Sequence, residues 1–382
     1  MKLVVDENIA FAKEAFSQFG EALLVSGRAI TNDLLKDADI LIVRSITTVD
    51  KNLLQKTKVK FVGTATIGTD HIDKKYLKKE GIAFHDAEGC NADSVAEYVF
   101  TALLNVAVKK HISLKNKTIG IIGVGNVGSR VVNFAEALGL KVLKSDPPKE
   151  REGIGSNYVS LEETLRSDIV TLHVPLNQTG IDKTIHLLER KNLDKTKEGS
   201  ILINTSRGVV IDNDSLLNII AKKRFSVILD VWEGEPSIDT KLLEKVDIGT
   251  THVAGYSFEG KVNGTRMIYD ALCKFTNQPY VWKPVLPKVV NNEIELALSG
   301  NVEEKLHFIF KKVYNIENDN TAMKKMIELK DDQKASYFDK LRRDYPLRRE
   351  FNNYTIILNK AESELSALLR KFRFNVKINN SR

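Results

Sequence analysis

Three stretches of the chain end in side chains able to grip a carboxylate and move a proton. Ile201-Leu202-Ile203-Asn204-Thr205-Ser206-Arg207-Gly208 finishes an apolar run with an arginine, whose planar fork suits a carboxylate. Leu229-Asp230-Val231-Trp232-Glu233-Gly234-Glu235-Pro236 finishes another with acids, and Thr250-Thr251-His252-Val253-Ala254-Gly255 supplies a histidine. Histidine removes a proton near neutral pH, and an adjacent carboxylate both orients its ring and raises its pKa. Taken singly, each residue is more often a surface ion pair or a satisfied polar group. Their joint meaning depends on what accompanies them.

What accompanies them is Gly123-Val124-Gly125-Asn126-Val127-Gly128, which follows the apolar run Thr118–Ile122 and opens a helical pattern through Arg130–Leu138. In such a loop the first glycine permits the tight turn and the second lets the backbone approach a pyrophosphate. The third lets helix and strand pack closely, while the N–H groups of the helix start attract the anion. Asp146 stands 18 residues past Gly128, after the next apolar run, where a carboxylate takes the ribose hydroxyls of NAD and repels the 2′-phosphate of NADP. The nucleotide expected is therefore NAD.

Such groups converge only if parallel strands carry them, because open α/β sheets bind ligands at the C-terminal ends of their strands. Leu3–Val5, Ile40–Val43 and Phe61–Val62 read as buried strands of a first βαβ series. Ile119–Ile122, Lys141–Lys144, Asp168–Leu172, Ser200–Ile203 and Val227–Leu229 read as a second. Between them Asn91–Lys110 has helical spacing, with an apolar stripe at Val95, Val99, Leu103 and Val106; Ser94-Val95-Ala96-Glu97 fits a capping box, and Asn91 is the alternative cap. Pro279, Pro284 and Pro287 mark a boundary. The expected division is residues 1–93 with 256–288, residues 94–255, and an α+β module at 289–382.

Composition narrows the partners. The net charge is +7, yet residues 289–382 hold 18 Lys+Arg against 14 Asp+Glu, an intermingled and solvated surface that calls for no nucleic acid. No apolar run approaches a membrane span or a secretory leader. Cys90 and Cys273 lie 183 positions apart with no CxxC spacing, as expected of reduced cytoplasmic thiols, and the histidines show no metal-ligand spacing. His71, in Gly68-Thr69-Asp70-His71-Ile72-Asp73, reads as a loop residue holding local structure before it reads as a second catalytic histidine.

The succession GxGxxG, Asp146, Asn204-Thr205-Ser206-Arg207-Gly208, Asp230–Pro236 and His252 resembles the D-2-hydroxyacid dehydrogenase family over roughly residues 1–285. Within that family, Val4-Val5-Asp6-Glu7-Asn8, Val43-Arg44-Ser45, Gly63–Asp73, Gly89-Cys90-Asn91, Tyr256–Lys261 and Phe338–Tyr345 are similar to a branch acting on a phosphorylated acid. The resemblance implies two Rossmann-like or flavodoxin-like parallel-sheet domains with a C-terminal α+β dimerisation domain, hence a homodimer. It implies that Arg207 holds the substrate, that His252 moves the proton, and that Glu235 pairs with His252 in preference to Glu233. Ser45, Thr66 and Tyr256 then match substrate contacts. Gly123, Gly125, Asn126, Val127, Gly128, Asp146, Val174, Thr205, Ser206, Arg207, Asp230 and Gly255 match positions bordering NAD. Arg44 and the cluster Arg342, Arg343, Arg348 and Arg349 are candidates for the phosphate. Two alternatives remain: a family member acting on 3-phosphoglycerate, and a non-catalytic NAD-responsive binding protein of the same fold.

Overall fold

The computed structural model describes residues 1–359 and 362–379; the last three residues of the 289–382 module lie outside them. The chain divides into two compact units, one of residues 1–91 and 256–288, the other of 92–255 and 289–382.

In the first unit, β1 (Lys2–Asp6), β2 (Glu21–Val25), β3 (Ile40–Val43), β4 (Phe61–Thr64) and β5 (Ala83–Asp86) form a wholly parallel sheet in the order β2-β1-β3-β4-β5. This is a flavodoxin-like order. All four residues of β3 and of β4 are buried, as strands covered on both faces require. The edge strands β2 and β5 escape the sequence pattern because their residues are only partly covered.

The second unit carries β6 (Thr118–Ile122), β7 (Lys141–Ser145), β8 (Ile169–Leu172), β9 (Ile201–Asn204), β10 (Ser226–Leu229) and β11 (Ile248–Gly249). They lie parallel in the order β11-β10-β9-β8-β6-β7, and Tyr158 adds a single parallel bridge to Lys144 beyond β7. Counting that bridge as a rudimentary strand gives the Rossmann succession, with its switch point between β6 and β8.

Residues 289–379 add a parallel sheet of β12 (Glu293–Glu295), β13 (Thr355–Asn359) and β14 (Asn375–Asn379), with helices Val302–Val313, Ile316–Lys324, Asp331–Arg343 and Ser363–Lys371. Their aromatic side chains join the core of the nucleotide fold. Phe372 packs on Phe100 and Phe134, with ring centres 5.6 and 4.8 Å apart, and on Phe310 at 5.2 Å. The helix Ala92–Lys109 is consequently buried on nearly every side, not along one stripe alone.

That burial overturns the capping box expected at Ser94–Glu97. The helix already begins at Ala92, and both side chains point into tertiary contacts. Ser94 Oγ donates to the Ala254 carbonyl at 3.0 Å; Glu97 accepts from the Phe351 N–H at 3.1 Å and from Arg373 at 2.8 Å. Residues three apart also share a helix face, so one spacing serves both arrangements. Among the described residues, capping boxes form at Ser160 with Glu163 and at Asn301 with Glu304.

Two measurements test how firmly the C-terminal segment is bound into this core. Phe372→Ala should cost about 3–5 kcal/mol in denaturant unfolding, the usual loss for a buried phenylalanine. Glu317 is held down to about 2 by Lys109 at 2.6 Å and Lys311 at 2.7 Å, with Asn105 assisting against burial. Its folded pKa lies below the ordinary 4.5, so its stabilisation is complete above that pH and disappears as pH falls toward 2. Glu317→Gln should lower the melting temperature at pH 7 and leave it near that of the parent at pH 2.

Candidate active site

The glycine loop between β6 and the helix Asn126–Ala137 has the space an incoming pyrophosphate needs. Gly123 has φ +84°, and a Cβ there would meet the His173 carbonyl oxygen at 2.7 Å. A Cβ on Gly128 would lie 2.0 Å from the Gly123 carbonyl oxygen, whereas one on Gly125 would meet nothing within 4 Å. The helix start has no side-chain cap, an arrangement that suits an anion at the helix N-terminus. Asn126 and Val127 form the first turn of that helix. These residues fit a dinucleotide.

Asp146 follows β7 at the same loop. One carboxylate oxygen accepts from the Val124 N–H at 2.7 Å and the other from the Lys149 N–H at 3.2 Å. Lys149 also donates through Nζ to the Val124 carbonyl at 2.6 Å, a contact that no motif signals. Val174 lies across the loop, its side chain 2.9 Å from where a Gly123 Cβ would be. Beside it, His173 is bracketed by Thr171 Oγ1 at 2.9 Å and Thr205 Oγ1 at 3.3 Å; desolvation pushes its pKa down to about 3, so it is neutral.

Past β9, the Asn204 side chain shapes the loop that bears Arg207. Its oxygen accepts from the N–H and hydroxyl of Ser206, and its nitrogen donates to the Arg207 carbonyl at 2.9 Å. Arg207 Nη1 donates to the Ser206 carbonyl at 2.7 Å. A Cβ on Gly208 would lie 1.9 Å from the Trp232 carbonyl carbon, so glycine alone lets this loop touch the one after β10.

That second loop sorts its two glutamates. Glu233 accepts from His186 Nε2 at 2.6 Å and from the Asn213 N–H at 2.9 Å. Glu235 instead accepts from the Trp232 N–H at 2.8 Å and meets His252 Nδ1 at 2.9 Å. Burial alone would raise the Glu235 pKa, but the His252 imidazole and the Trp232 N–H outweigh it, and the Arg342 guanidinium adds to them; the carboxylate stays ionised. A proton on Nδ1 of His252 would point at this carboxylate, and in the neutral imidazole that tautomer leaves the lone pair on Nε2. His252 adopts φ +57°, which the residue rarely takes unaided. The turn is held by Asp230, whose carbonyl accepts from the His252 N–H at 2.7 Å and whose buried carboxylate accepts from the N–H groups of Val253 and Ala254. Gly255 ends the first segment of the unit.

The remaining expected residues belong to the first unit. Ser45 is exposed after β3 with Arg44 half-buried beside it. Thr66 Oγ1 hydrogen-bonds Thr64 Oγ1 at 2.8 Å, and Thr64 in turn meets His71 Nε2 at 3.1 Å, a local structural contact for that histidine. Tyr256 carries the Lys261 ammonium 4.9 Å above its ring. In the C-terminal segment Arg348 and Arg349 are buried within their own chain, which removes them as phosphate ligands reaching outward. Arg343 pairs with Asp344.

This fold accords with what the chain is similar to. Residues 101–254 match the family described as D-isomer specific 2-hydroxyacid dehydrogenase, NAD binding domain; residues 285–372 match a domain of unknown function. Of solved structures, D-lactate dehydrogenase from Aquifex aeolicus, complexed with NAD and lactic acid, is 27% identical with TM-score 0.58, over 72% of this chain and 96% of that one. Erythronate-4-phosphate dehydrogenases from Salmonella arizonae and Proteus mirabilis are each 43% identical over 98% of this chain, covering 98% and 99% of those proteins. The chain belongs to the erythronate-4-phosphate dehydrogenase family, within the D-2-hydroxyacid dehydrogenases. Among the described residues no helix is long and apolar enough to cross a membrane.

The glycine-loop geometry yields a cofactor prediction. Asp146→Ser should weaken NAD binding in a fluorescence titration and narrow the preference over NADP. A parent protein that already prefers NADP would remove Asp146 from the ribose site.

Proposed function

We propose that the protein oxidises 4-phospho-D-erythronate with NAD to (R)-3-hydroxy-2-oxo-4-phosphooxybutanoate, a step of pyridoxal 5′-phosphate (vitamin B6) biosynthesis. The observation that carries this reading is the 2.9 Å contact of His252 Nδ1 with Glu235, in a chain 43% identical over 98% of its length to enzymes of that name. Arg207 holds the substrate carboxylate and the oxygen on C2 through its fork. His252 Nε2 takes the C2 hydroxyl proton as the C–H bond breaks and the carbonyl forms; Glu235 steadies the imidazolium so produced. Bound NAD supplies the hydride acceptor. Gly123, Gly125, Asn126, Val127, Gly128 and Asp146 hold the dinucleotide, with Val174, Thr205, Ser206, Asp230 and Gly255 bordering it. Ser45, Thr66 and Tyr256 contact the substrate, and Arg44 meets its phosphate.

The protein acts in the cytoplasm as a homodimer, with residues 289–382 as the dimerisation module and boundaries at 93/94 and 255/256 between the other two domains. Light scattering of the full chain should give twice the 42.9 kDa subunit mass; a monomer would remove that role.

A panel of 2-hydroxy acids, with and without terminal phosphate, assayed by NADH absorbance tests the substrate. Preference for 3-phosphoglycerate, or no turnover of any acid, would displace the proposal. His252→Ala should leave NAD binding intact and lower kcat by about 10²–10⁴, the range for loss of a general base. Arg207→Lys should be similarly severe, since a point charge cannot replace the fork. Arg44→Ala should raise KM for 4-phosphoerythronate more than for erythronate. Equal loss on both would move the phosphate site elsewhere.

A further inference from the structure

The chain passes out of the first unit after Asn91 and back into it after Gly255. Ser94 follows the first passage and Ala254 precedes the second, and a side chain from the far end of the sequence ties them together. Arg348 Nη2 donates to Ser94 Oγ at 2.5 Å and to the Ala254 carbonyl, which also accepts from Ser94. Arg348 is 8% exposed. It lies 4.6 Å above the Tyr314 ring, and the hydroxyls of Tyr314 and Tyr345 both donate to Asp319, at 2.6 and 2.8 Å.

Burying a cation this way costs several kcal/mol unless its surroundings are built for it, and a fold contact alone is made more cheaply by apolar residues. Here much of the surroundings is built for it: an aromatic face beneath, the Asp319 carboxylate near enough to act on its charge, and a hydroxyl and a carbonyl that accept from Nη2, while Nη1 is buried without a hydrogen-bond partner. The carbonyl belongs to the turn that carries His252. Asp230 holds the N–H groups of Val253 and Ala254, so an anion fixes the donors of this turn while Arg348 fixes its acceptor.

We propose that Arg348 is a positioning residue for the dehydrogenase reaction. By fixing the Ala254 carbonyl it sets the aim of His252, so the C-terminal segment serves the active site of its own subunit. This inference rests on His252 being the group that takes the proton.

The test compares purified full-length Arg348→Ala and His252→Ala with the parent, measuring circular dichroism, melting temperature, NAD binding, kcat and KM. Arg348→Ala should fold, bind NAD normally and lose about 10–100-fold in kcat, the scale of a small misplacement of a catalytic group. KM should stay within about threefold of the parent value. Millimolar guanidinium, which can refill the vacated site, should restore much of the lost kcat, whereas equal urea should not; His252→Ala should show no such rescue. A folded Arg348→Ala with parental kcat, or a kcat loss that guanidinium does not restore, would overturn the proposal. Full activity of His252→Ala would instead sink the underlying assignment of the proton acceptor. If Arg348→Ala does not fold, Ser94→Ala keeps the guanidinium while removing one of its anchors. It should lower kcat by about three- to tenfold with KM unchanged, and parental kcat there would overturn the proposal equally.

Discussion

The carboxylate of Asp230 is the constraint on which the end of the nucleotide unit that carries His252 depends. Being buried, it must find partners, because an unsatisfied charge inside a protein is costly. It accepts from Thr250 Oγ1 at 2.6 Å as well as from the N–H groups of Val253 and Ala254. Thr250 is itself in contact with the Tyr98 hydroxyl at 2.6 Å, and its carbonyl accepts from Trp232 Nε1 at 2.8 Å. The loops after β10 and β11 are thus laced through one anion. His252 can keep a left-handed backbone only because its neighbours are pinned in this way, and Glu235 reaches it from the other loop.

The same unit holds a second histidine in the opposite electrostatic setting. His173 has threonine hydroxyls on both ring nitrogens and is kept neutral by desolvation, while His252 faces an ionised carboxylate. The two imidazoles therefore stand in different surroundings. The discrimination comes from neighbours, since the two side chains are chemically identical. Glu233 and Glu235 show the same division: two residues apart in sequence, one is committed to His186 and the other to His252.

Much of this could be read from the residues alone. Fully buried strands such as Ile40–Val43 and Ile201–Asn204 announce themselves as apolar runs, and the glycine loop is legible because steric need leaves only glycine at Gly123 and Gly128. The site motifs are legible for a related reason: each lies at the end of such a run. What escaped was whatever depends on distant partners. β2 and β5 lie at sheet edges, and β11 is two residues long, so none presents a buried run. Ser94 and Glu97 mimic a cap because their true partners, Ala254, Phe351 and Arg373, lie more than 150 positions away. Arg348 looks like one of four surface arginines until Tyr314 is seen beneath it.

The burial of the helix Ala92–Lys109 on nearly every side bears on how such proteins can be recombined. In a modular chimera, a nucleotide-binding cassette is excised and joined to a foreign substrate domain, which presumes that its outer helices already face water. Here one outer face of the cassette is apolar and belongs to Phe310, Phe351 and Phe372 of the C-terminal segment. Grafted without that segment, the cassette would present an oily surface to solvent and self-associate. The transferable building block of this protein is therefore discontinuous, residues 92–255 together with 289–382, and what can be exchanged is the other unit, residues 1–91 with 256–288.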